Sequence, residues 1–123
     1  MLRHYPRLLC DRCYSTEAAW HEASGRGRIH SWTVAHHAFH PAFAADLPYT
    51  LLTVDLEAGV RALGRWRGDG VPAIRDPVQG RCVPREGGVD LVFEAGRPLN
   101  PRQPEPGRTR GETGCGVNIY SAV

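Results

Sequence analysis

Apolar and polar side chains alternate along the middle of the chain with a period of two. That is the spacing of a half-buried β-strand, and there is little of the three-to-four-residue spacing of an amphipathic helix. The clearest run is Tyr49 to Glu57, where Leu52, Val54 and Leu56 share one face and Thr53, Asp55 and Glu57 the other. Ala58-Gly59 suits a tight hairpin, with Gly59 free to take positive φ. Val60 to Arg67 is the return strand, with Val60, Ala62, Gly64 and Trp66 on one face and Arg61, Leu63, Arg65 and Arg67 on the other. Upstream, the turn cluster Ser24-Gly25-Arg26-Gly27 precedes a strand from Arg28 to His37. Strict alternation there sets His30, Trp32, Val34 and His36 opposite Ile29, Ser31, Thr33, Ala35 and His37.

The remaining segments are connectors. Phe39 to Pro48 reads as a loop with two prolines and two phenylalanines. Gly68 to Gly80 holds three glycines and two prolines and is compatible with a short helical turn at Val71–Arg75. Arg81 to Val83 reads as a short strand, Gly87-Gly88 as a second hairpin signal, and Val89 to Glu94 as a strand with Val89, Leu91 and Phe93 on one side. Residues 1–24 show little periodicity. Arg97 to Gly116 holds four prolines and four glycines, a composition that cannot bury a core and predicts a loose tail. Short strands joined by hairpins predict an all-β fold, a small barrel or a sandwich.

Composition narrows the classes. The chain has 123 residues, enough for one domain that hides roughly two-thirds of its unfolded surface. No apolar run approaches the ~20 residues of a membrane span, and Met1-Leu2-Arg3-His4 begins no signal peptide, so a cytoplasmic protein is expected. A net charge of +2 demands no polyanionic partner, and the excess sits in the tail: 11 Arg face 11 acidic residues up to Gly96, and 4 face 2 after it. All 15 basic residues are Arg. The four cysteines, at 10, 13, 82 and 115, are expected to remain thiols in a reducing compartment.

Several short motifs follow one another in a telling order: Cys10-Asp11-Arg12-Cys13, Ser15 to Trp20, Ser24-Gly25-Arg26-Gly27, Ser31-Trp32-Thr33-Val34, Leu47-Pro48-Tyr49, Asp55 to Arg61, and Val92-Phe93-Glu94. Over roughly residues 6–95 this resembles a family that joins a rubredoxin-like zinc ribbon to an OB-fold and associates with acyl-CoA enzymes. The first of the family's two Cys-x-x-Cys knuckles is missing, Cys82 to Gly88 fits poorly, and the tail after Gly96 has no counterpart. The resemblance implies a five-stranded OB-fold Greek-key barrel over 25–95, a truncated zinc-ribbon segment over 1–24 and a flexible tail over 96–123. It further implies a non-catalytic accessory subunit that binds or scaffolds acyl-CoA thioesters. The partner would be a thiolase-like or hot-dog hydratase subunit in lipid, steroid or polyketide-type metabolism.

The candidate chemistry has competing readings. Cys10 and Cys13 are spaced to reach one Zn²⁺, but structural zinc needs four ligands. His4, His21, Cys82, Cys115 or another subunit would have to supply the rest, or the knuckle holds no metal. A redox Cys-x-x-Cys would need a helix N-terminus that the sequence does not provide. His36, His37 and His40, with Asp46 nearby, form a cluster, yet His36 and His37 point to opposite strand faces. No Gly-x-Ser-x-Gly, His-Glu-x-x-His or phosphate-loop signature occurs, so the chain is not expected to be an enzyme by itself. Arg61, Arg65 and Arg67 share a face that would suit the phosphates of coenzyme A or simply be solvated. An OB-fold that binds single-stranded nucleic acid adds stacking aromatics to such cations, but Trp32 and Trp66 read as core. The apolar stretch Phe39, Phe43, Leu47 and Tyr49 plugs the barrel end, lines an acyl pocket or docks on a partner.

Overall fold

Among the residues described by the computed structural model, 2–3, 7–97 and 117–122, the elements are eight strands and one 3-10 helix. In chain order they are β1 Leu2–Arg3, β2 Ala18–Ala23, β3 Arg26–Ala35, the 3-10 helix Pro41–Asp46, β4 Tyr49–Leu56, β5 Arg61–Trp66, β6 Pro77–Arg85, β7 Gly88–Ala95 and β8 Val117–Ala122. Five strands close into a barrel in the order β3-β4-β5-β7-β6, with β6 returning to β3. Every pairing is antiparallel except that of β5 with β7. This is the OB-fold arrangement, and closure leaves no continuous sheet edge to protect. No helix among the described residues is long and apolar enough to cross a membrane.

The core follows from the alternation. Leu52, Val54, Leu56 and Ala62 point inward, and the β4–β5 hairpin turns at Gly59 with φ 89°. Ile29, Leu52, Val54, Val78, Val92 and Phe93 are the largest fully buried side chains. Each contributes about 1.5–3 kcal/mol of hydrophobic stabilisation. Phe93 and its neighbour Val92 are equally buried, so β7 is covered on both faces. The Phe93 ring lies between two glycines on the flanking strands. A Cβ at Gly64 of β5 or at Gly80 of β6 would each approach that ring to 2.7 Å.

Four expectations are corrected. β3 does not alternate strictly, because the register shifts between Ile29 and Ser31 at a bulge. The extra residue reverses the phase, so Trp32 pairs with Leu52 on the same side as Ile29 paired with Val54. The predicted short strand at Arg81–Val83 is part of the nine-residue β6. Pro77 opens that strand, where no ladder donor is missed, and Gly80 is the space for Phe93. Val71–Arg75 forms no helix; it ends in a turn with Arg75 at φ 71°. The Phe39–Pro48 loop contains the 3-10 helix, started by Pro41 and capped by His40, whose Nδ1 accepts from the Ala42 amide at 3.1 Å.

The outer segments also differ from expectation. β2 lies within the 1–24 segment, and β8 lies within the tail predicted to be loose. β8 runs between β1 and β2, pairing with all six residues of β2 from Ala18↔Ala122 to Ala23↔Val117. The end of the chain thus supplies the middle strand of the sheet at its beginning, a long-range pairing that no local pattern announces. The rest of the tail, 98–116, lies outside the described residues.

Candidate functional site

The four apolar residues from Phe39 to Tyr49 do not form one lining. Phe39 is 87% exposed, with its ring set edge-to-face with the His37 ring at 5.9 Å. Phe43 is half-buried between two guanidiniums, Arg65 at 5.5 Å and Arg85 at 5.0 Å from its ring centre. Tyr49 lies under the same Arg65 at 4.4 Å, and Leu47 is half-buried between them in sequence. Arg65 also holds Asp46 at 3.1 Å, which fastens the end of the 3-10 helix to β5. Phe43 and Tyr49 are therefore latched, whereas Phe39 is displayed. Trp32, 39% exposed, and Val34, 37% exposed, lie just upstream in the second half of β3. Trp32 is thus not the closed core residue expected from the sequence. Trp66 packs against the core, and its indole N–H donates to the Gly70 carbonyl at 3.1 Å.

The three arginines of the return strand have different partners. The Arg61 Nε donates to Asp55 Oδ1 at 2.7 Å, and its Nη2 lies 3.3 Å from His30 Nδ1. That hydrogen bond holds the Asp55 carboxyl below its usual range and raises Arg61 above its own. Arg65 is the latch just described, with its side chain only 18% exposed. Arg67 follows β5, is exposed, and has no carboxylate within ion-pair distance among the described residues. In an extended strand, residues four apart are separated by about 13 Å. Arg61 and Arg65 are thus no single phosphate cradle, and both are already neutralised.

The Cys10 to Tyr14 segment is a tight knuckle. The Cys10 amide donates to the Ser15 carbonyl at 2.9 Å, the Tyr14 amide donates to the Cys10 carbonyl at 2.8 Å, and Tyr14 sits at φ 57°. Backbone amides of Cys13 and Arg12 point at the Cys10 sulfur and lower its thiol from 9.0 to about 7. Arg3 spans the turn, donating to the Leu9 carbonyl at 3.1 Å and pairing with Asp11 at 2.9 Å. Cys10 is buried and Cys13 exposed. Such a turn suits a metal-binding thiolate, but no group of three or more His, Cys, Asp or Glu ligands occurs among the described residues. Those residues therefore supply two of the four donors of structural zinc. His21 is exposed on β2 and Cys82 half-buried on β6; His4 and Cys115 lie outside the described residues. Of the histidine cluster, His36 and His37 are exposed and His40 is the helix cap, while Asp46 is committed to Arg65.

Sequence reasoning passed over a third surface. An open groove of about 540 Å³ lies beside β3, with Arg28, His30 and Asp55 on one side and Ile74 and Arg75 on the other. Arg28 and Arg75, which line it from β3 and from the connector before β6, are 47 residues apart in sequence, so no local signal could reveal it.

Residues 20–83 match the model of the ChsH2 C-terminal OB-fold domain. A probable enoyl-CoA hydratase alpha subunit of Thermomonospora curvata is 43% identical over 60 residues, which make up 49% of this chain and 18% of that protein. The chain thus matches less than a fifth of that curated relative's length. Among solved structures, an Ltp2-ChsH2(DUF35) aldolase chain superposes with a TM-score of 0.65 at 33% identity, covering 77% of this chain and 76% of the other.

Proposed function

The chain belongs to the ChsH2 C-terminal OB-fold family, and from that premise we propose that it is a non-catalytic accessory subunit of an acyl-CoA enzyme. Its partner is a thiolase-like or hydratase subunit, or an aldolase subunit as in the similar solved complex, acting on acyl-CoA thioesters of lipid, steroid or polyketide type. The observation that carries this reading is the shared barrel. The segment matched by the family, 20–83, supplies β3, β4, β5 and most of β6 of that barrel and leaves Trp32, Val34 and Phe39 exposed beside the latched helix. Exposed aromatics on a rigid support are the usual anchors of a protein interface. The latch keeps the support rigid, so binding need not order it. The partner contact is therefore assigned to Phe39 and Trp32, with the half-buried Leu47, Phe43 and Tyr49 belonging to the latched support. Arg67 is the member of the arginine stripe left available to a CoA phosphate. The knuckle is a half-site whose zinc would require donors beyond the described residues.

The test combines the full chain with a hydratase or aldolase subunit. Co-elution as a stoichiometric complex, with faster turnover of an enoyl-CoA or β-hydroxyacyl-CoA by the partner, is the expected result. Enzyme-like turnover by the chain alone would overturn it. A single-stranded nucleic-acid role gains from the exposure of Trp32, but two of the three return-strand arginines are held by carboxylates, so the basic groove that role needs is not formed there.

A further inference from the structure

We propose that the groove between β3 and the connector before β6 is a binding site for a phosphorylated nucleoside, held through its phosphates by Arg28 and Arg75. The groove, about 540 Å³, has the size of a small-ligand site.

Its charges do not cancel locally. Asp55 is matched by Arg61 at 2.7 Å, with His30 3.5 Å away on its other oxygen, and Glu57 is matched by Arg26 at 3.2 Å. Arg28 and Arg75 have no carboxylate partner among the described residues, and the only side-chain hydrogen bond found for either is from Arg28 Nη1 to the Arg75 carbonyl, at 3.3 Å. Two exposed guanidiniums beside the groove therefore remain for an anion, and their planar forks suit phosphate oxygens.

The backbone reinforces the assignment. Arg75 is left-handed at φ 71°, a conformation that suits glycine and burdens an arginine. It is clamped there: its amide donates to the Ile29 carbonyl at 2.7 Å, the Ile29 amide donates to the Asp76 carbonyl at 3.1 Å, and the Asp76 amide to the Ala73 carbonyl at 3.1 Å. A strained residue held from both sides beside a groove is where a working side chain is expected. The apolar wall decides the class of anion. Ile74, 54% exposed, is the apolar side chain presented along the groove, Ile29 and Leu56 being buried in the core behind it, so an inorganic phosphate would leave Ile74 wet while a base and sugar would cover it.

A free nucleotide and the nucleotide end of a CoA thioester share this chemistry; the second source rests on the accessory-subunit reading above. The experiment is calorimetric titration of the full chain at low salt with ADP and, separately, with CoA. Binding of either tighter than about 1 mM, weakened at least about tenfold by Arg75→Gly and by Arg28→Gln but not by Arg81→Ala on β6, is the expected result. ADP and CoA binding alike, or ADP alone, indicates a nucleotide; CoA at least about tenfold tighter indicates the thioester. Arg75→Gly relieves the strained backbone, so its melting temperature should not fall, which separates lost binding from lost folding. Absence of binding by both ligands, or binding that Arg75→Gly and Arg28→Gln leave intact, overturns the proposal. A chain that captures its enzyme partner yet binds neither ligand loses only this site.

Discussion

The Arg65 guanidinium stacks 4.4 Å from the centre of the Tyr49 ring, and through this contact a residue of β5 holds the entrance of β4 and the helix before it. The same group reaches Asp46 and Phe43. An arginine that by spacing resembles a ligand contact is therefore a structural clasp.

Arg65→Ala removes a partly buried ion pair and two ring contacts at once. It should lower stability by about 1–2 kcal/mol, read from urea unfolding of the full chain. Arg65→Lys should restore only part of this, because an ammonium lacks the planar face that stacks on Tyr49. A loss no larger than that of the exposed Arg67→Ala would show that the clasp is not formed.

Gly64→Ala places a methyl group against the Phe93 ring and the Leu91 carbonyl. A destabilisation of about 1–3 kcal/mol is expected from overpacking. In a Phe93→Leu background the same substitution should be milder, with a coupling of at least about 0.5 kcal/mol. Strict additivity in a double-mutant cycle would deny the contact.

Cys10 makes stability depend on pH in one direction. Its folded thiol titrates at about 7, below the ordinary value of 9.0, because amides of Cys13 and Arg12 favour the thiolate. Between these values the unfolded chain holds a proton that the folded chain has released, so stability rises with pH across that window. The contribution is complete above pH 9 and disappears as pH falls through 7. Unfolding curves of metal-free protein in chelator should show the slope, and Cys10→Ser should abolish it.

Phe39 is exposed and Trp32 partly so, and neither lies among the most buried residues of the core. Phe39→Asp and Trp32→Ala should each weaken the complex with an acyl-CoA enzyme subunit by about ten- to a hundredfold, measured by calorimetry. Phe39→Asp should leave the melting temperature within about a degree, a surface change being energetically small. Undiminished affinity in both variants would move the interface elsewhere on the barrel.

The sequence by itself determined the all-β class, the β4–β5 hairpin and the inward set Leu52, Val54, Leu56 and Ala62. Those features depend on period-two burial and on a glycine that accepts positive φ, both of which are local. It also carried the motif order by which the OB family is recognised. Tertiary structure alone decided which side Trp32 takes, since a one-residue bulge at Ile29–Ser31 inverts the alternation. It decided that Gly80 lies inside β6, since the space it leaves is filled by Phe93 from a neighbouring strand. It likewise gave Arg61 and Arg65 to Asp55 and Asp46, and brought Arg28 to Arg75 beside one groove. Alternation encodes what a residue does within its own strand, whereas a cation's partner and a ring's cavity belong to other strands and exist only once the barrel has closed.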